Sequence, residues 1–352
     1  MVQAVQEHPG KLLSEGEFRE VTGQLRSRPT APLAFLPSPE KIAAEIAAML
    51  DQRPSPGLTD WVAGYAQVGK RNPYLWGWCR RAVEITTLPC VAPQYREELI
   101  DTKTMGVLWD VMLDDVADQS GDPRLMEALL GVTEGGTADF STFTAAEQEY
   151  AAFTCDVWRE IMRRAARYPR YSEFADLLRY DYRQLCNVMR YSHLLNRHPE
   201  LLNLTEHDLY TPHNMHIMVC STFDLMCSPD FDRSELGRLR EVVWNAQCMG
   251  RIGNLVTTWQ RELKEGDFTS GVYARAVSRG DVTVERLQTG DRAGIEAVIL
   301  NGGHEQYFLR RWNRHRRFLL SRGAALRSVD IQPYVAGFER LICLHLGSRG
   351  RK

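Results

Sequence analysis

Beyond about residue 38, the chain keeps apolar residues at three- and four-residue intervals almost without interruption. This holds through about 40–51, 59–88, 95–118, 122–133, 143–167, 171–196, 206–228, 233–265, 291–321 and 330–346. That spacing puts one apolar stripe on each segment when it coils at 3.6 residues per turn, and it suits no strand. Clusters of turn-forming residues punctuate the pattern, at Arg53-Pro-Ser-Pro-Gly57, Gly135-Gly136, Asn196-Arg-His-Pro199, Ser228-Pro-Asp230 and Gly302-Gly303. Such stripes must be buried against one another, so the chain is expected to be all-α. With no internal repeat and no long linker, residues 38–346 are expected to form one domain. The Pro-rich stretch from Arg28 to Pro37 closes an N-terminal tail over 1–37, and 347–352 form a C-terminal tail.

The net charge of −2 gives no whole-protein argument for nucleic acid or an anionic membrane. A basic cluster, Arg310-Arg-Trp-Asn-Arg-His-Arg-Arg317, reads as the solvated face of a helix flanked by apolar residues. There is no apolar run long enough to cross a membrane and no signal core at Met1-Val-Gln-Ala-Val-Gln-Glu-His8, so a cytoplasmic location is expected. The eight cysteines lie scattered in apolar stretches without a Cys-x-x-Cys pair, as small buried hydrophobes kept reduced.

Two polar patches interrupt the apolar pattern. In the segment ending near Asp118, the carboxylates Asp110, Asp114 and Asp118 follow one another at four-residue spacing. Each is rotated only about 40° from the last, and Asp115 lies beside the same face. Like charges so placed repel by a few tenths of a kcal/mol per pair even when exposed, so something should compensate. In the segment over 233–265, Asn254, Thr258 and Glu262 also follow four-residue spacing, and Arg261 returns to nearly the same face. An amide oxygen, a hydroxyl and a carboxylate suit Mg²⁺, which takes oxygen ligands and shares its shell with water and phosphate. A guanidinium beside them can grip the phosphate bidentately. Taken singly, each patch also reads as a solvated helix face.

Together they are more specific. Asp114-Asp-Val-Ala-Asp118 resembles the aspartate-rich motif of class I terpene synthases. Asn254, Thr258, Arg261 and Glu262 resemble the second metal motif of that family, down to the Gly266-Asp267 that follows. The likeness covers roughly residues 38 to 346. It implies a single helical bundle around a deep apolar cavity, with the two motifs facing each other across its mouth. It further implies three Mg²⁺ ions and an isoprenyl diphosphate substrate, and leaves a homodimer open. The implied metal set is Asp114, Asp115, Asp118, Asn254, Thr258 and Glu262. Asp114 and Asp118 would serve two ions, Asn254, Thr258 and Glu262 a third, while Asp115 is also placed to orient a neighbouring basic residue.

Three departures mark this chain off. Asp110 stands one turn deeper than Asp114, where the family usually has an aromatic or aliphatic residue. The family's diphosphate-sensing Arg is missing, and the local sequence Tyr210-Thr-Pro-His213-Asn214-Met-His216 offers His213 or Asn214 in its place, aided by Arg251. The C-terminal Arg-Tyr pair is absent, leaving Arg349 or Arg351. His213, His216 and Cys220 also allow a transition-metal site, although histidines near a helix start are more often structural.

Among the aromatics, Trp109, Tyr180, Tyr191 and Phe223 are candidates to stabilise positive charge, with Trp109, Tyr191 and Asp110 expected to line the cavity. A chain-elongating prenyltransferase would carry a second aspartate-rich motif, and here Asn254, Thr258 and Glu262 stand in its place. A class II cyclase would need an Asp-x-Asp-Asp acid that is absent. The phrase Arg251-Ile-Gly-Asn-Leu-Val-Thr-Thr-Trp-Gln-Arg-Glu262 resembles bacterial diterpene cyclases most. It favours geranylgeranyl diphosphate or a bicyclic C20 diphosphate, with farnesyl diphosphate as runner-up. A non-enzymatic helical interaction protein would leave the two coexisting metal faces unexplained.

Overall fold

The computed structural model describes residue 33 and residues 36–50, 54–119, 123–136 and 139–349. Among them lie fifteen α-helices, four short 3₁₀ turns and no strand. In chain order the first nine are α1 (Pro39–Leu50), α2 (Thr59–Val68), α3 (Tyr74–Ile85), α4 (Arg96–Gln119), α5 (Pro123–Val132), α6 (Ala145–Ala165), α7 (Tyr171–Arg197), α8 (Leu204–Tyr210) and α9 (Ile217–Met226). They are followed by α10 (Leu236–Glu265), α11 (Gly271–Ser278), α12 (Val284–Gln288), α13 (Arg292–Asn301), α14 (His304–Gly323) and α15 (Ile331–Gly347).

Three segments expected to be continuous are broken. The stretch 59–88 parts between Gly69 and Pro73, where proline starts the next helix. The stretch 206–228 is interrupted by a 3₁₀ turn over Thr211–Met215 and then by His216, which has φ 58°. The stretch 291–321 parts at Gly302-Gly303. Helices α11 and α12 are too short to announce themselves by periodicity.

The 30-residue helix α10 is the axis of the packing, resting mainly on α14 and α15 and also on α9. Helix α4 packs on α3, α6 and α7, and α15 reaches back to α3 and α1. One contiguous apolar core runs through these elements, from Leu33 to Leu346. Leu33 and Leu36 belong to that core, and Ser348 is fully buried, its Oγ lying 2.6 Å from the Tyr74 hydroxyl. The packed body therefore takes in residues on both sides of the expected 38–346; residues 1–32 and 350–352 lie outside the described ones. Among the described residues no helix is long and apolar enough to cross a membrane.

A buried ion pair pins α4 to α9. Lys103 Nζ donates to Asp224 Oδ1 at 2.6 Å and to Thr87 Oγ1 at 2.9 Å, and the Leu88 amide donates to Asp224 Oδ2 at 2.9 Å. Both charged side chains are 0% exposed. Removing one partner strands the other charge in the core, which costs about 3–5 kcal/mol, whereas replacing both with apolar groups is often nearly neutral. Lys103→Met is therefore expected to lower unfolding stability by about that amount. In chemical denaturation, Lys103→Met/Asp224→Leu should recover most of the loss.

Candidate active site

Five helices, α3, α4, α9, α10 and α15, wall a cavity of ≈ 180 Å³. Its mouth is polar, with Asp114 from α4, Asn214 from the turn before α9, and Arg251, Asn254, Arg261 and Glu262 from α10. The deeper wall is mostly apolar, built by Leu75, Ala82 and Val83 of α3, Val107 and Val111 of α4, and Ile217 of α9. Asp110 and His216 lie on the same wall. The two polar patches thus open onto one cavity.

On α4 each carboxylate finds a different remedy for its neighbours' charge. Asp115 accepts from Arg71 Nε at 2.7 Å and from the Tyr65 hydroxyl at 3.1 Å. Burial still pushes its carboxyl above the usual carboxylate range, against the pull of Arg71. Asp114 accepts from Asn214 Nδ2 at 3.1 Å and lies 3.8 Å from Arg71 Nη2. Asp110, one turn deeper, is only 6% exposed, and its Oδ1 has no hydrogen-bond partner. Burial, reinforced by the charge of Asp114, holds its carboxyl well above the usual range. Tyr65 falls in the periodic stretch 59–88 and reads from sequence as a core aromatic, and Arg71 falls at the turn Gly69-Lys-Arg-Asn-Pro73; neither is marked there as a partner of the acids.

On α10 the polar column is held from one side. Arg251 Nη1 donates to Asn254 Oδ1 at 3.2 Å and its Nη2 donates to the Thr269 carbonyl at 3.1 Å. Thr258 Oγ1 donates to the Asn254 carbonyl at 2.9 Å, one turn back, and lies behind the cavity surface. Glu262 is 4% exposed, with Oε2 lacking a partner. Burial, then the charge of Asp267, pushes its carboxyl up to about 7, while Arg251, Arg261 and the Thr258 hydroxyl pull the other way. Helix α10 stops just beyond, at Gly266 with φ 79°, a conformation glycine adopts without steric cost. The chain then doubles back and delivers Asp267 and Thr269 to the cavity. Arg261 pairs with Glu265 at the rim.

Other expected residues fall elsewhere. The side chain of Asp118 lies outside the described residues. His213 faces Trp244, with ring centroids 5.0 Å apart, so it does not converge with His216 and Cys220 on the cavity. Trp109 is buried between Trp158 and Tyr182, at 4.9 and 5.6 Å, and Tyr191 packs on Tyr210 at 5.1 Å; neither lines the cavity. Tyr180 is 52% exposed and Phe223 is packed in the core. The cavity wall carries one large aromatic side chain, Trp78, with the His345 ring edge-on to it at 4.8 Å, and the imidazole of His216. Arg349 is engaged with Glu305 and the Val256 carbonyl, away from the cavity.

No protein-family model and no curated protein sequence matches this chain. Solved structures do. Isoprene synthase from grey poplar leaves (Populus x canescens), in complex with three Mg²⁺ ions and dimethylallyl-S-thiolodiphosphate, superposes with TM-score 0.55 at 13% identity over 94% of this chain. The match takes in 60% of that chain, so the present chain spans about 60% of its length. A geranylgeranyl pyrophosphate synthase superposes with TM-score 0.55 at 10% identity over 88% of this chain and 97% of its own. The all-α fold is the one these two enzymes share. At such identities the likeness is one of fold.

The donor set fits Mg²⁺ in a particular way. Among the described residues no three His, Cys, Asp or Glu side chains stand together as a complete cage. Mg²⁺ does not require one, since it commonly takes one or two carboxylates and fills its octahedron with water and substrate phosphate. Asp114 on one wall, and Asn254 and the bare Oε2 of Glu262 on the other, supply that kind of partial shell.

Glu262 gives a metal-independent check. A carboxyl that holds its proton more tightly when folded stabilises the folded state fully below its unfolded value near 4.5, and that contribution is lost as pH rises through about 7. In the presence of a chelator, unfolding stability should fall between about pH 5 and 8, by roughly 3 kcal/mol more in the wild type than in Glu262→Gln. Equal pH dependence in the two proteins, measured by denaturant titration, would contradict this assignment.

Proposed function

We propose that this chain is a Mg²⁺-dependent class I terpene cyclase that ionises a linear isoprenyl diphosphate, geranylgeranyl diphosphate above all, and cyclises the cation with release of diphosphate. The observation that carries this reading is the division of a single cavity into a mouth of oxygen ligands and guanidinium groups and an apolar interior. Asp114, Asn254 and Glu262, with Thr258 behind them and Asp118 next on α4, would hold the ions. Support comes from the fold shared with an isoprene synthase that carries three Mg²⁺ ions and a diphosphate analogue.

Breaking an allylic carbon–oxygen bond leaves extra negative charge on diphosphate. When bound, Mg²⁺ stabilises that developing charge. Arg261 stands at the rim, where its guanidinium can exchange Glu265 for phosphate oxygens, and Asn214 offers an amide N–H₂ beside Asp114. The aliphatic wall lets the prenyl chain fold against it and shields the cation from bulk water. The ring of Trp78 is placed to stabilise passing positive charge, by about 2 kcal/mol when desolvated. Asp115 acts at one remove, fixing Arg71 near Asp114. The likeness of the α10 motif to bacterial diterpene cyclases points to the C20 substrate; a bicyclic C20 diphosphate would enter the same way.

The test is incubation with C10, C15, C20 and C25 diphosphates, with and without Mg²⁺, followed by gas chromatography. The expected outcome is a cyclic C20 product only with Mg²⁺, and a loss in kcat/KM of at least about 10²-fold in Asp114→Ala and in Glu262→Gln. A cyclic C15 product would reassign the substrate to farnesyl diphosphate. A longer prenyl diphosphate formed when isopentenyl diphosphate is added would reassign the reaction to chain elongation. Failure to turn over any of them would overturn the reading.

A further inference from the structure

The deeper wall of the cavity should be wholly apolar if its only task were to fold a hydrocarbon. It is not. Asp110 and His216 face it from α4 and from the start of α9, and both line the cavity. Both are shut away from bulk water, their side chains being 8% and 1% exposed. Asp110 Oδ1 and both ring nitrogens of His216 lack hydrogen-bond partners, and so does the hydroxyl of Tyr182, whose ring meets His216 edge-on at 5.5 Å. Buried polar atoms are rarely left so, and a cluster of them marks a place built for a polar guest.

The His216 ring is held there by two separate devices. His216 is the only non-glycine residue with positive φ among the described residues, at 58°, a conformation that L-residues avoid and that persists where the surroundings enforce it. Opposite it, Gly106 of α4 leaves room for the ring: a Cβ there would lie 2.7 Å from His216 Nε2. So positioned, His216 Nδ1 lies 3.8 Å from Asp110 Oδ2. That gap is too long for a direct hydrogen bond, and one water seated to the side of the pair, within the cavity that both line, can bond to each of them.

We propose that Asp110 and His216 hold a single water molecule that ends the cascade by capturing the cyclised cation, so that the product is an alcohol. This rests on the cyclase reading above. In the capture step the water oxygen gives a lone pair to the cationic carbon and forms the C–O bond. One water proton passes to the imidazole of His216, leaving a neutral alcohol and an imidazolium. Asp110 orients the water and touches it, while Gly106 acts only through the placement of the ring.

The chemistry of the surroundings agrees. Burial, with the nearby charge of Lys103, pushes His216 down to about 3, so its imidazole is neutral and has a lone pair to accept the proton. Burial likewise holds the Asp110 carboxyl well above the usual range, which favours the neutral form that can both donate to and accept from a water. Depth matters too. Asp110 is four residues along the helix from Asp114, about 6 Å at 1.5 Å per residue, which keeps the water away from the carbon that first ionises at the mouth.

The experiment is turnover in H₂¹⁸O with the C10, C15 and C20 diphosphates, reading the alcohol-to-hydrocarbon ratio and the label by mass spectrometry. The full chain with Mg²⁺ is expected to give chiefly an alcohol carrying ¹⁸O. In Asp110→Leu, which removes the polar group that holds the water, and in His216→Asn, which keeps a side chain tolerant of positive φ, the ratio should fall at least tenfold as hydrocarbons take over. Gly106→Ala should lower the ratio in the same direction, and it carries the test should one of the other variants fail to fold. A wild-type product that is a cyclic hydrocarbon would overturn this inference and leave the cyclase reading intact. So would a labelled alcohol whose ratio is unmoved by the substitutions. No cyclic product from any diphosphate overturns both.

Discussion

The constraint on which this structure turns is the stacking of carboxylates along α4. Three acids within two turns of a helix repel one another, and the rest of the fold answers each of them separately. Asp115 is paired with Arg71 and hydrogen-bonded by Tyr65, Asp114 is bonded to Asn214 and approached by Arg71, and burial holds the Asp110 carboxyl well above the usual range. Arg71 comes from the break between α2 and α3, and Asn214 from the break between α8 and α9. The interruptions are therefore not failures of otherwise good helices. An uninterrupted helix could not bring a backbone corner, with a side chain at its tip, to the face of α4.

The same logic runs through α10. Its length gives the polar column a rigid base, because Asn254, Thr258 and Glu262 share one unbroken helix packed on α14 and α15. Its termination at Gly266 turns the chain back, and Arg251 ties the returning loop, through the Thr269 carbonyl, to Asn254. Beneath the cavity the Lys103–Asp224 pair locks α9 to α4, the two helices that carry His216 and Asp110. A charge pair buried to that degree adds little net stability once its desolvation is counted, and what it specifies is register. Register here decides whether His216 lands over Gly106.

What could be read from the sequence follows from these physical rules. The all-α architecture and the columns Asp110–Asp114 and Asn254–Thr258–Glu262 were legible because helical spacing is itself the signal. The partners of those columns were not, since Arg71 and Tyr65 are joined to Asp115 by tertiary approach across a turn. Aromatic residues misled for another reason. A helix in this bundle buries its bulkiest side chains against neighbouring helices, so Trp109 and Phe223 end in the core, while the cavity is bounded largely by smaller residues such as Ala82, Val83, Val107 and Val111. Asp110 stood out at once as a carboxylate amid apolar neighbours. His216 was visible only as one of several histidines, because nothing in a residue's name announces a positive φ.

The two guanidinium groups at the mouth also divide their work. Arg251 is buried and spends both of its terminal nitrogens within the protein, on Asn254 and Thr269. It can tune the ligand face and hold the loop, but it could turn to a diphosphate only by letting one of them go. Arg261 is different: its side chain is 30% exposed and its partner, Glu265, is on the same helix at the rim. Exchanging one exposed carboxylate for a more highly charged diphosphate costs little, since surface pairs of that kind are worth at most about 1 kcal/mol. Under the proposed reaction, then, the first grip on the substrate falls to Arg261 and Asn214.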